Sequence, residues 1–580
     1  MHKYFEVLAV RALNSTRNVY PPSYLGLRLL LESLPREGSS DWGSRLISRK
    51  LSTRETWRYQ SFKELKELNR DGTPAYRDFA IGSPTTALAE ATILRRLSHE
   101  RAFAPHPSAY SYLWPKSDWS GHSYEFYLAG YDRRNRDVSG FLEAKPNLVA
   151  LVADIRNFYP SVDVERLISK VQRRLAQVGR SSLPDEILCF VKDLLRATPS
   201  GIPIGPKLGH LLGHVALEDV DRKMHSEFGS RYLRYVDDIA VVCPKNQVDT
   251  AIERLRVTLE EEGLHLNRDK MDVVPSGVWI SEVPIMEMPK DAITFGTLLS
   301  SLSVYIMRNP ESFDGLRSTF RGLGFSLPFP RLKAMSEYGR YRSFIGTLFR
   351  QRASWFPPPS VQTDKDLVRM ATALRRDTMT KLRSMREREV PSTVMRRRWH
   401  VQKYRHLLNS MLYLTDPDEY GELLQLTPDI DEFRENRALL AAFSKKDATG
   451  LLPLYGRVVA AFGELWSETE TAHPHVDWRL DISEPVANSL GTLAMFRVAE
   501  PPPDILESMN PRARELLSYC AGIPVDGREI TGLSYLDELR ALQLGRNKEE
   551  LYALFTTRFS DKEDVAPIGI HLGAAGSPGW

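Results

Sequence analysis

The clearest hydrophobic pattern along the chain is the apolar run NLVALVADI at 147–155, which predicts a fully buried strand. A second run, RYLRYVDDIAVVC at 231–243, predicts a strand pair that turns at 236–238. Apolar residues recur at helical spacing in four further stretches: 163–175, 183–197, 210–224 and 248–263. Asp163 is a candidate N-cap of the first stretch, and Gly263 closes the last. The alternation of strands and helices is typical of an α+β domain around a small sheet.

The pattern is less regular outside this central region. SYLGLRLLLESLP at 23–35 predicts a short amphipathic helix that ends at proline, and the aromatic residues around Gly130 predict a strand. After about residue 285 the strand signals thin out, and proline breaks separate segments with helical spacing. We therefore expect the second half of the chain to be largely α-helical.

Composition narrows the class of protein. A chain of 580 residues is too long for one hydrophobic core, so we expect about two to four domains. The formal net charge is only +4, so a nucleic-acid partner would have to bind local basic patches. Three cysteines without a CxxC pair argue against a disulfide framework and fit a reducing cytoplasm. Neither a secretion signal nor a long apolar run is present, so we expect a cytoplasmic protein without a membrane span.

Residues 375–405 form a strongly basic segment. They include eleven lysines and arginines against three acidic residues, a local net charge of +8. A solvated helix face normally mixes its charges, so this skew favours a polyanion partner such as RNA or single-stranded DNA. A basic surface without a partner is the alternative.

Three aspartates carry the strongest chemical signal. Asp154 ends the first strand, and Asp237 and Asp238 lie at the turn of the strand pair, so a shared sheet would bring the three carboxylates together. Hard oxygen ligands at an open site suit Mg²⁺, with Mn²⁺ as a substitute. Two such ions could flank an in-line phosphoryl displacement. The alternative is an acidic cluster paired with Arg231 and Arg234, which leaves Asp154 unexplained.

Four segments carry a family resemblance: ADIRNFYPSV, GIPIGPKLG, YVDD and GLHLNRDK. Their order and approximate spacing over 147–272 resemble motifs A to D of the reverse-transcriptase palm. The resemblance implies a right-hand polymerase whose α+β fingers and palm are followed by a largely α-helical region. It implies these divisions: 1–146 as N-terminal extension and fingers, 147–285 as palm, 286–410 as a helical, thumb-like basic region, and 411–580 as a helical C-terminal domain with a flexible tail.

The resemblance also implies the roles of the motif A and motif C residues. Asp154 and Asp237 would be the metal ligands, together with the main-chain oxygen of Ile155. Asp238 would be the second carboxylate of the hairpin, which binds or tunes a metal. Tyr159 matches the aromatic residue that packs under the sugar and excludes a 2′-hydroxyl.

Five further residues are implied for nucleotide binding or turnover. Lys270 matches the motif D lysine, a candidate acid toward the leaving pyrophosphate, and its alternative is a plain surface lysine. Arg133 or Arg134 lies where the fingers would supply a cation to the triphosphate. Pro203 and Gly205 belong to the motif B loop.

Positions 159 and 204 bear on the class of polymerase. RNA-dependent RNA polymerases usually carry a second aspartate where this chain has Tyr159, so the tyrosine favours deoxynucleotides. Reverse transcriptases commonly carry glutamine where this chain has Ile204, and isoleucine cannot make the polar contacts of glutamine near the templating base. The sequence therefore predicts an intact catalytic centre beside an altered template side.

A divergent palm followed by a long helical region is similar to the abortive-infection and unknown-group bacterial reverse transcriptases, which act in antiphage defence. That class implies self-assembly into homo-oligomers, and DNA synthesis that is in some members untemplated or primed from a protein tyrosine. The candidate priming residues are several: Tyr404, Tyr413, Tyr455, Tyr519, Tyr535 and Tyr552 among others.

The leading hypothesis is therefore a Mg²⁺-dependent, RNA-directed DNA polymerase that takes dNTPs and acts in phage defence. A retron-type or mobile-element enzyme that copies one defined RNA is the first alternative. A non-catalytic nucleic-acid sensor built on a polymerase palm is the second. The complete set of three aspartates argues against the sensor, since a binding protein has no need for three carboxylates that repel one another.

Overall fold

The computed structural model contains two small antiparallel sheets surrounded by helices. The described residues are 2–33, 45, 48–50, 56–69, 71–145, 147–178, 184–282, 294–333, 363–391, 393–469, 472–524, 530, 534–560 and 562–572. The strands among them are β1 (Tyr59–Leu68), β2 (Pro74–Gly82), β3 (Leu148–Asp154), β4 (Tyr232–Tyr235), β5 (Asp238–Pro244) and β6 (Asp272–Pro275). β1 and β2 form a two-stranded ribbon, and the other four form a sheet in the order β4-β5-β3-β6.

The four-stranded sheet agrees with the sequence pattern. Every residue of β3 is buried, as the continuous apolar run predicted. The run at 231–243 forms β4 and β5, which pair antiparallel on either side of a two-residue turn at Val236 and Asp237. The α+β fold class is confirmed.

Alternate residues of β3 face two separate hydrophobic cores. Leu151 belongs to the larger core, whereas Ala150 and Val152 belong to a smaller one. Asp154 follows Val152 in the same alternation, so its side chain lies on the face of the smaller core. Asp238 is the cross-strand partner of Asp154 in β5 and therefore lies on that face too.

The N-terminal region contributes helices α1 (His2–Thr16), α2 (Pro21–Ser33) and α3 (Pro84–Leu97). The prediction of a helix at 23–35 is confirmed as α2, but its amphipathic character is wrong. Residues 21–31 are buried on all sides, because α2 packs against α1, α3 and two helices from the end of the chain. A helix that is apolar all round belongs inside a core.

The helices around the four-stranded sheet are α4 (Tyr127–Ala144), α5 (Phe158–Ser161), α6 (Val164–Leu175), α7 (Pro184–Leu195), α8 (Lys207–Ala216), α9 (Glu218–Phe228), α10 (Val248–Glu260) and α11 (Ser276–Glu282). The N-cap prediction is confirmed, because the Asp163 carboxylate accepts a hydrogen bond from the main-chain N–H of Arg166 at 3.0 Å. Gly263 closes the last turn after α10 at φ +73°, and the next N–H, of Leu264, donates to the Leu259 carbonyl at 2.9 Å.

The strand predicted around Gly130 is wrong, since those residues lie in helix α4. Val138 and Leu142 are spaced four residues apart on one face of α4 and both pack into the smaller core. A Cβ atom at position 130 would lie 2.0 Å from the carbonyl oxygen of Tyr110, so the glycine permits a close helix approach. Tertiary packing overrides the local aromatic signal here.

The second half of the described chain is helical, as predicted. Its helices are α12 (Phe295–Arg308), α13 (Phe313–Gly322), α14 (Phe329–Leu332), α15 (Asp364–Arg386), α16 (Val394–Leu414), α17 (Tyr420–Leu426), α18 (Arg434–Lys445), α19 (Arg457–Thr469), α20 (Glu484–Met495), α21 (Pro503–Ser508), α22 (Pro511–Cys520), α23 (Tyr535–Gln543) and α24 (Lys548–Thr556). Within the described ranges, no helix combines the length and the apolarity needed to cross a membrane.

The two ends of the described chain pack together. The larger core includes residues from Phe5 to Leu572. Tyr24 of α2 donates to Glu563 at 2.8 Å, and Arg331 of α14 forms a fully buried ion pair with the same carboxylate. The four-part division at 146, 285 and 410 stays a prediction.

Candidate active site

Asp154, Asp237 and Asp238 lie at one edge of the four-stranded sheet. Asp154 ends β3, Asp238 begins β5, and Asp237 lies in the β4–β5 turn. Asp154 and Asp238 are direct cross-strand partners at the last position of the β3–β5 ladder. The carbonyl of Asp237 accepts a hydrogen bond from the N–H of Ile155 at 3.3 Å, which ties the turn to the residue after β3. Val236 sits in the left-handed region at φ +57°, an uncommon conformation for a β-branched residue that the tight turn imposes.

Burial and mutual repulsion dominate the electrostatics of Asp237 and Asp154. Burial, and then the neighbouring Asp238 and Asp154, raise the pKa of Asp237 well above its usual range. Oδ1 of Asp237 is buried without a hydrogen-bond partner. Burial raises the pKa of Asp154 as well, with Lys270 opposing the shift. A hard cation between these oxygens would remove both the repulsion and the unpaired acceptor.

Lys270 and Asn267 contact Asp154 from the loop that follows α10. Lys270 places Nζ 3.5 Å from Oδ2 of Asp154. Asn267 donates to Oδ1 at 3.2 Å through its side chain, and its main-chain N–H donates to the Asp154 carbonyl at 2.8 Å. The structure therefore brings the predicted Lys270 to the carboxylates. It adds Asn267, which lies in the same GLHLNRDK segment and which the sequence did not predict as a site residue.

Arg234 of β4 is fully buried and supports the turn from the protein interior. Its guanidinium pairs with the buried Asp221 through two contacts of 2.7 and 2.5 Å. A third contact, of 2.8 Å, goes to the carbonyl of Val236 in the turn itself. Burial alone would raise the pKa of Asp221, but Arg234 beside it lowers the value below the usual range. Arg234 is thus neutralised by Asp221, and the alternative of an acidic cluster paired with Arg234 finds no support.

The comparison that decides the class of the domain is a match over residues 119–295 to the family described as "Reverse transcriptase (RNA-dependent DNA polymerase)". Residues 119–295 form a reverse-transcriptase domain. This range contains the whole four-stranded sheet and all three aspartates. The chain is accordingly a nucleotidyltransferase of the DNA polymerase type.

Solved structures give more distant similarities. The telomerase of Candida albicans, in complex with the TWJ fragment of telomeric RNA, shares 12% identity at a TM-score of 0.28, over 69% of this chain and 70% of that chain. The corresponding telomerase structure from Candida tropicalis shares 10% identity at a TM-score of 0.28, over 71% of this chain and 70% of that chain. No curated protein matches the chain significantly.

Tyr159 of the reverse-transcriptase domain is held from behind by an aromatic stack. Its hydroxyl lies 3.0 Å from Nδ1 of His210 in α8. The ring of Tyr112 stacks on His210 with 3.8 Å between centroids and 6° between planes. Burial lowers the pKa of His210 well below its usual range, so this imidazole is neutral. His210 has no motif signal in the sequence.

The motif B loop connects Tyr159 to strand β2 of the ribbon. Gly201 has φ +63°, and a Cβ there would lie 2.0 Å from the Tyr159 carbonyl oxygen. Gly205 has φ +118°, and a Cβ there would lie 2.2 Å from the Ala80 carbonyl oxygen. The carbonyl of Ile204 accepts from the N–H of Ala80 at 2.8 Å. The bend predicted from these glycines is therefore required by close backbone approaches on both sides.

The remaining predicted nucleotide-binding residues are Pro203, Arg133 and Arg134. Pro203 is buried within the motif B loop. Arg133 pairs with Glu125 at 3.0 Å, whereas Arg134 is buried with its guanidinium over the ring of Tyr131 at 4.8 Å. No observation assigns a nucleotide contact to these residues, so their roles stay predictions.

The basic segment 375–405 spans the second half of α15 and the first half of α16, and much of its charge is paired. Its ion pairs join Arg375 to Glu419, Lys381 to Asp377, Arg383 to Glu422, Arg396 to Glu282, Arg397 to Glu432, and Arg398 to Asp238. The last of these brings the basic helix directly to the second carboxylate of the YVDD motif. Four further cations of the segment are exposed: Arg376, Arg386, Arg388 and Lys403.

Proposed function

We propose that this chain is an RNA-directed DNA polymerase that adds dNTPs by two-metal phosphoryl transfer. The observation that carries the proposal is the direct pairing of Asp154 with Asp238 beside Asp237, inside the reverse-transcriptase domain. Carboxylates that converge at the end of a sheet are the protein's part of such a site. The catalytic assignment of Asp154, Asp237, Asp238 and Lys270 is part of this proposal.

The oxygen ligands fit Mg²⁺, with Mn²⁺ as a substitute. Asp237 offers a buried oxygen without a hydrogen-bond partner, and burial, followed by mutual repulsion, raises the pKa of Asp237 and of Asp154. Among the described residues, no group of three acidic, histidine or cysteine side chains has the spacing of a ready-made metal site. Bound ions would polarise the reacting phosphate and activate the attacking hydroxyl. In this proposal Asp154, Asp237 and the main chain of Ile155 hold them.

Tyr159 is the residue proposed to select deoxynucleotides. Burial and then Asp237 raise the pKa of its hydroxyl, and His210 contacts that hydroxyl from behind. A fixed aromatic ring excludes a ribose 2′-hydroxyl sterically, because the ring cannot move aside to make room for it. The exposed cations of 375–405 supply the proposed contact surface for RNA or single-stranded DNA.

The wider role that we propose is antiphage defence by abortive infection, as a homo-oligomer. It rests on the resemblance of the motifs and of the helical second half to that class. A tyrosine that primes DNA synthesis must present its hydroxyl to the active site, so burial argues against most of the candidate tyrosines. The buried ones are Tyr404, Tyr413, Tyr455, Tyr519 and Tyr535, whereas Tyr552 is half-buried.

Incubation of the purified chain with labelled dNTPs and Mg²⁺, with and without an RNA template and primer, tests the proposal. Wild type should form labelled DNA, and Asp237→Asn should form none. Asp249→Asn, which changes an exposed carboxylate on α10, should retain full activity. Absence of product from wild type on every substrate, or equal product from Asp237→Asn, would refute the enzymatic proposal.

Sequencing the nucleic acid that co-purifies with the chain tests the biological role. Simple-repeat DNA, or DNA covalently attached to the protein, supports the defence proposal. One defined product on a structured RNA would instead favour a retron-type or mobile-element enzyme. Normal phage defence in cells by Asp237→Asn would favour a non-catalytic sensor.

A further inference from the structure

Arg398 donates hydrogen bonds to both carboxylate oxygens of Asp238. Its two terminal nitrogens lie 3.0 Å from Oδ1 and 2.7 Å from Oδ2, a bidentate arrangement between residues 160 positions apart. Asp238 is 2% exposed, and the Arg398 side chain is 23% exposed, so the pair is largely shielded from water. A shielded bidentate pair is among the stronger ion contacts in proteins.

The first turns of α16 are fixed over the carboxylate face of the sheet. Trp399 packs edge-on against Trp279 of α11, with 5.6 Å between ring centroids, in the smaller core. Arg396 pairs with Glu282 at 2.7 Å on one side. Arg397 forms its own bidentate pair with Glu432 on the other. The Arg398 contact therefore belongs to a docked helix and is not the position of a free side chain.

This contact conflicts with a metal ion at Asp238. A carboxylate whose two oxygens both accept from a guanidinium has its principal acceptor directions occupied. A divalent cation beside Arg398 would also be repelled by its charge, and that repulsion is weakly screened in a shielded site. Asp237 keeps Oδ1 without a hydrogen-bond partner, and each oxygen of Asp154 has a longer contact, to Asn267 at 3.2 Å or to Lys270 at 3.5 Å. The bidentate conflict therefore concerns Asp238.

We propose that Arg398 is a built-in competitor of the metal at Asp238, so that α16 must release this carboxylate before the site binds its full complement of divalent ions. The inference rests on the metal site of the proposed function. In this proposal α16 acts as a lock, meaning that Arg398 blocks metal binding at Asp238 while the helix is docked. The lock opens when nucleic acid or nucleotide draws the basic helix away. The locked form also relieves the repulsion among the three carboxylates while no metal is bound.

A purely structural Arg398 predicts the opposite result. If the arginine only held Asp238 in place for the metal, its removal would loosen the ligand and weaken metal binding. If it competes, its removal frees a negative charge and strengthens metal binding. The sign of the change in affinity therefore separates the two roles.

Titration of the full-length chain with Mn²⁺, followed by the electron paramagnetic resonance signal of the free ion, measures this sign. Arg398→Ala should lower the Mn²⁺ dissociation constant about tenfold, since one nearby positive charge is lost. Arg398→Lys keeps the charge without the bidentate fork and should give a smaller decrease. Arg383→Ala is the control, because it removes a cation of the same basic segment that pairs with Glu422 and does not hold α16, so it should leave the constant unchanged.

Amide hydrogen exchange of 394–414 gives a second readout that needs no DNA synthesis. Mn²⁺ should speed exchange in the first turns of α16 in wild type, and Arg398→Ala should exchange fast with or without the ion. An unchanged or weaker Mn²⁺ affinity in both Arg398 variants would overturn the inference, as would an equal gain in Arg383→Ala. Tighter Mn²⁺ binding in a chain that makes no DNA would support the lock while refuting the proposed polymerase.

Discussion

The hydroxyl of Tyr159 and Nδ1 of His210 lie 3.0 Å apart, which places a neutral imidazole directly behind the residue proposed to select the sugar. Tyr112 stacks on the far face of the same imidazole. The position of the Tyr159 ring is therefore set by two residues that touch neither the carboxylates nor, in the proposed function, the nucleotide.

His210→Phe should reduce discrimination against ribonucleotides. The phenyl ring keeps the stack with Tyr112 but cannot bond the Tyr159 hydroxyl, so the tyrosine ring gains freedom. The loss of one hydrogen bond should lower the ratio of dNTP to rNTP incorporation about three- to tenfold. Competitive incorporation assays measure the ratio. His225→Phe, which removes a histidine–hydroxyl contact with Ser108 away from the site, is the control and should leave it unchanged.

Gly201→Ala should destabilise the chain more than Gly263→Ala. Both glycines have φ between +60° and +75°, so alanine costs about 1 kcal/mol at either position. Only at Gly201 does the new Cβ meet a backbone atom, the Tyr159 carbonyl at 2.0 Å. We expect at least about 1–3 kcal/mol of further destabilisation there. Urea denaturation of the two variants measures the difference, and equal losses would contradict the close approach.

The central sheet and the three aspartates could be predicted because their signals are local. A continuous apolar run followed by an acidic residue fixes both the strand and the residue at its end, as β3 and Asp154 illustrate. The turn at Val236 and Asp237 follows from two acidic residues inside a strand pattern. The same locality explains the confirmed caps at Asp163 and Gly263.

The supporting residues could not be predicted, because their partners are far away in sequence. His210 meets Tyr159 across 51 positions, and Arg398 meets Asp238 across 160. A basic segment has the same composition whether its charges face RNA or the chain's own carboxylates. The sequence of 375–405 therefore could not show which cations form internal ion pairs and which are exposed. The wrong predictions at α2 and α4 have a related cause, since packing from distant helices decides what those segments bury.

Arg234→Met should be strongly destabilising. It leaves the Asp221 carboxylate buried without its partner and removes the donor to the Val236 carbonyl. Breaking one side of a buried ion pair costs about 3–5 kcal/mol, whereas replacing both partners by apolar residues is often close to neutral. The double variant Arg234→Met with Asp221→Leu should therefore recover much of the free energy of unfolding. Arg256→Met, at an exposed pair with Glu253, should cost less than about 1 kcal/mol.

Glu90 should make the stability of the chain depend on pH near neutrality. Burial raises the pKa of this carboxyl to about 7, while its Oε1 accepts from the N–H of Leu208 at the start of α8. The folded chain therefore holds a proton that the unfolded chain releases near pH 4.5, so stability falls as pH rises from there through about 7.

Glu90→Gln keeps an acceptor for Leu208 and has no charge to bury. Its free energy of unfolding should match that of wild type near pH 4.5 and exceed it by up to about 3 kcal/mol at pH 8. Chemical denaturation at several pH values measures the difference. Glu507→Gln, at an exposed carboxylate, should follow wild type throughout. A pH-independent gap between Glu90→Gln and wild type would show that the carboxyl does not titrate in this range in the folded chain.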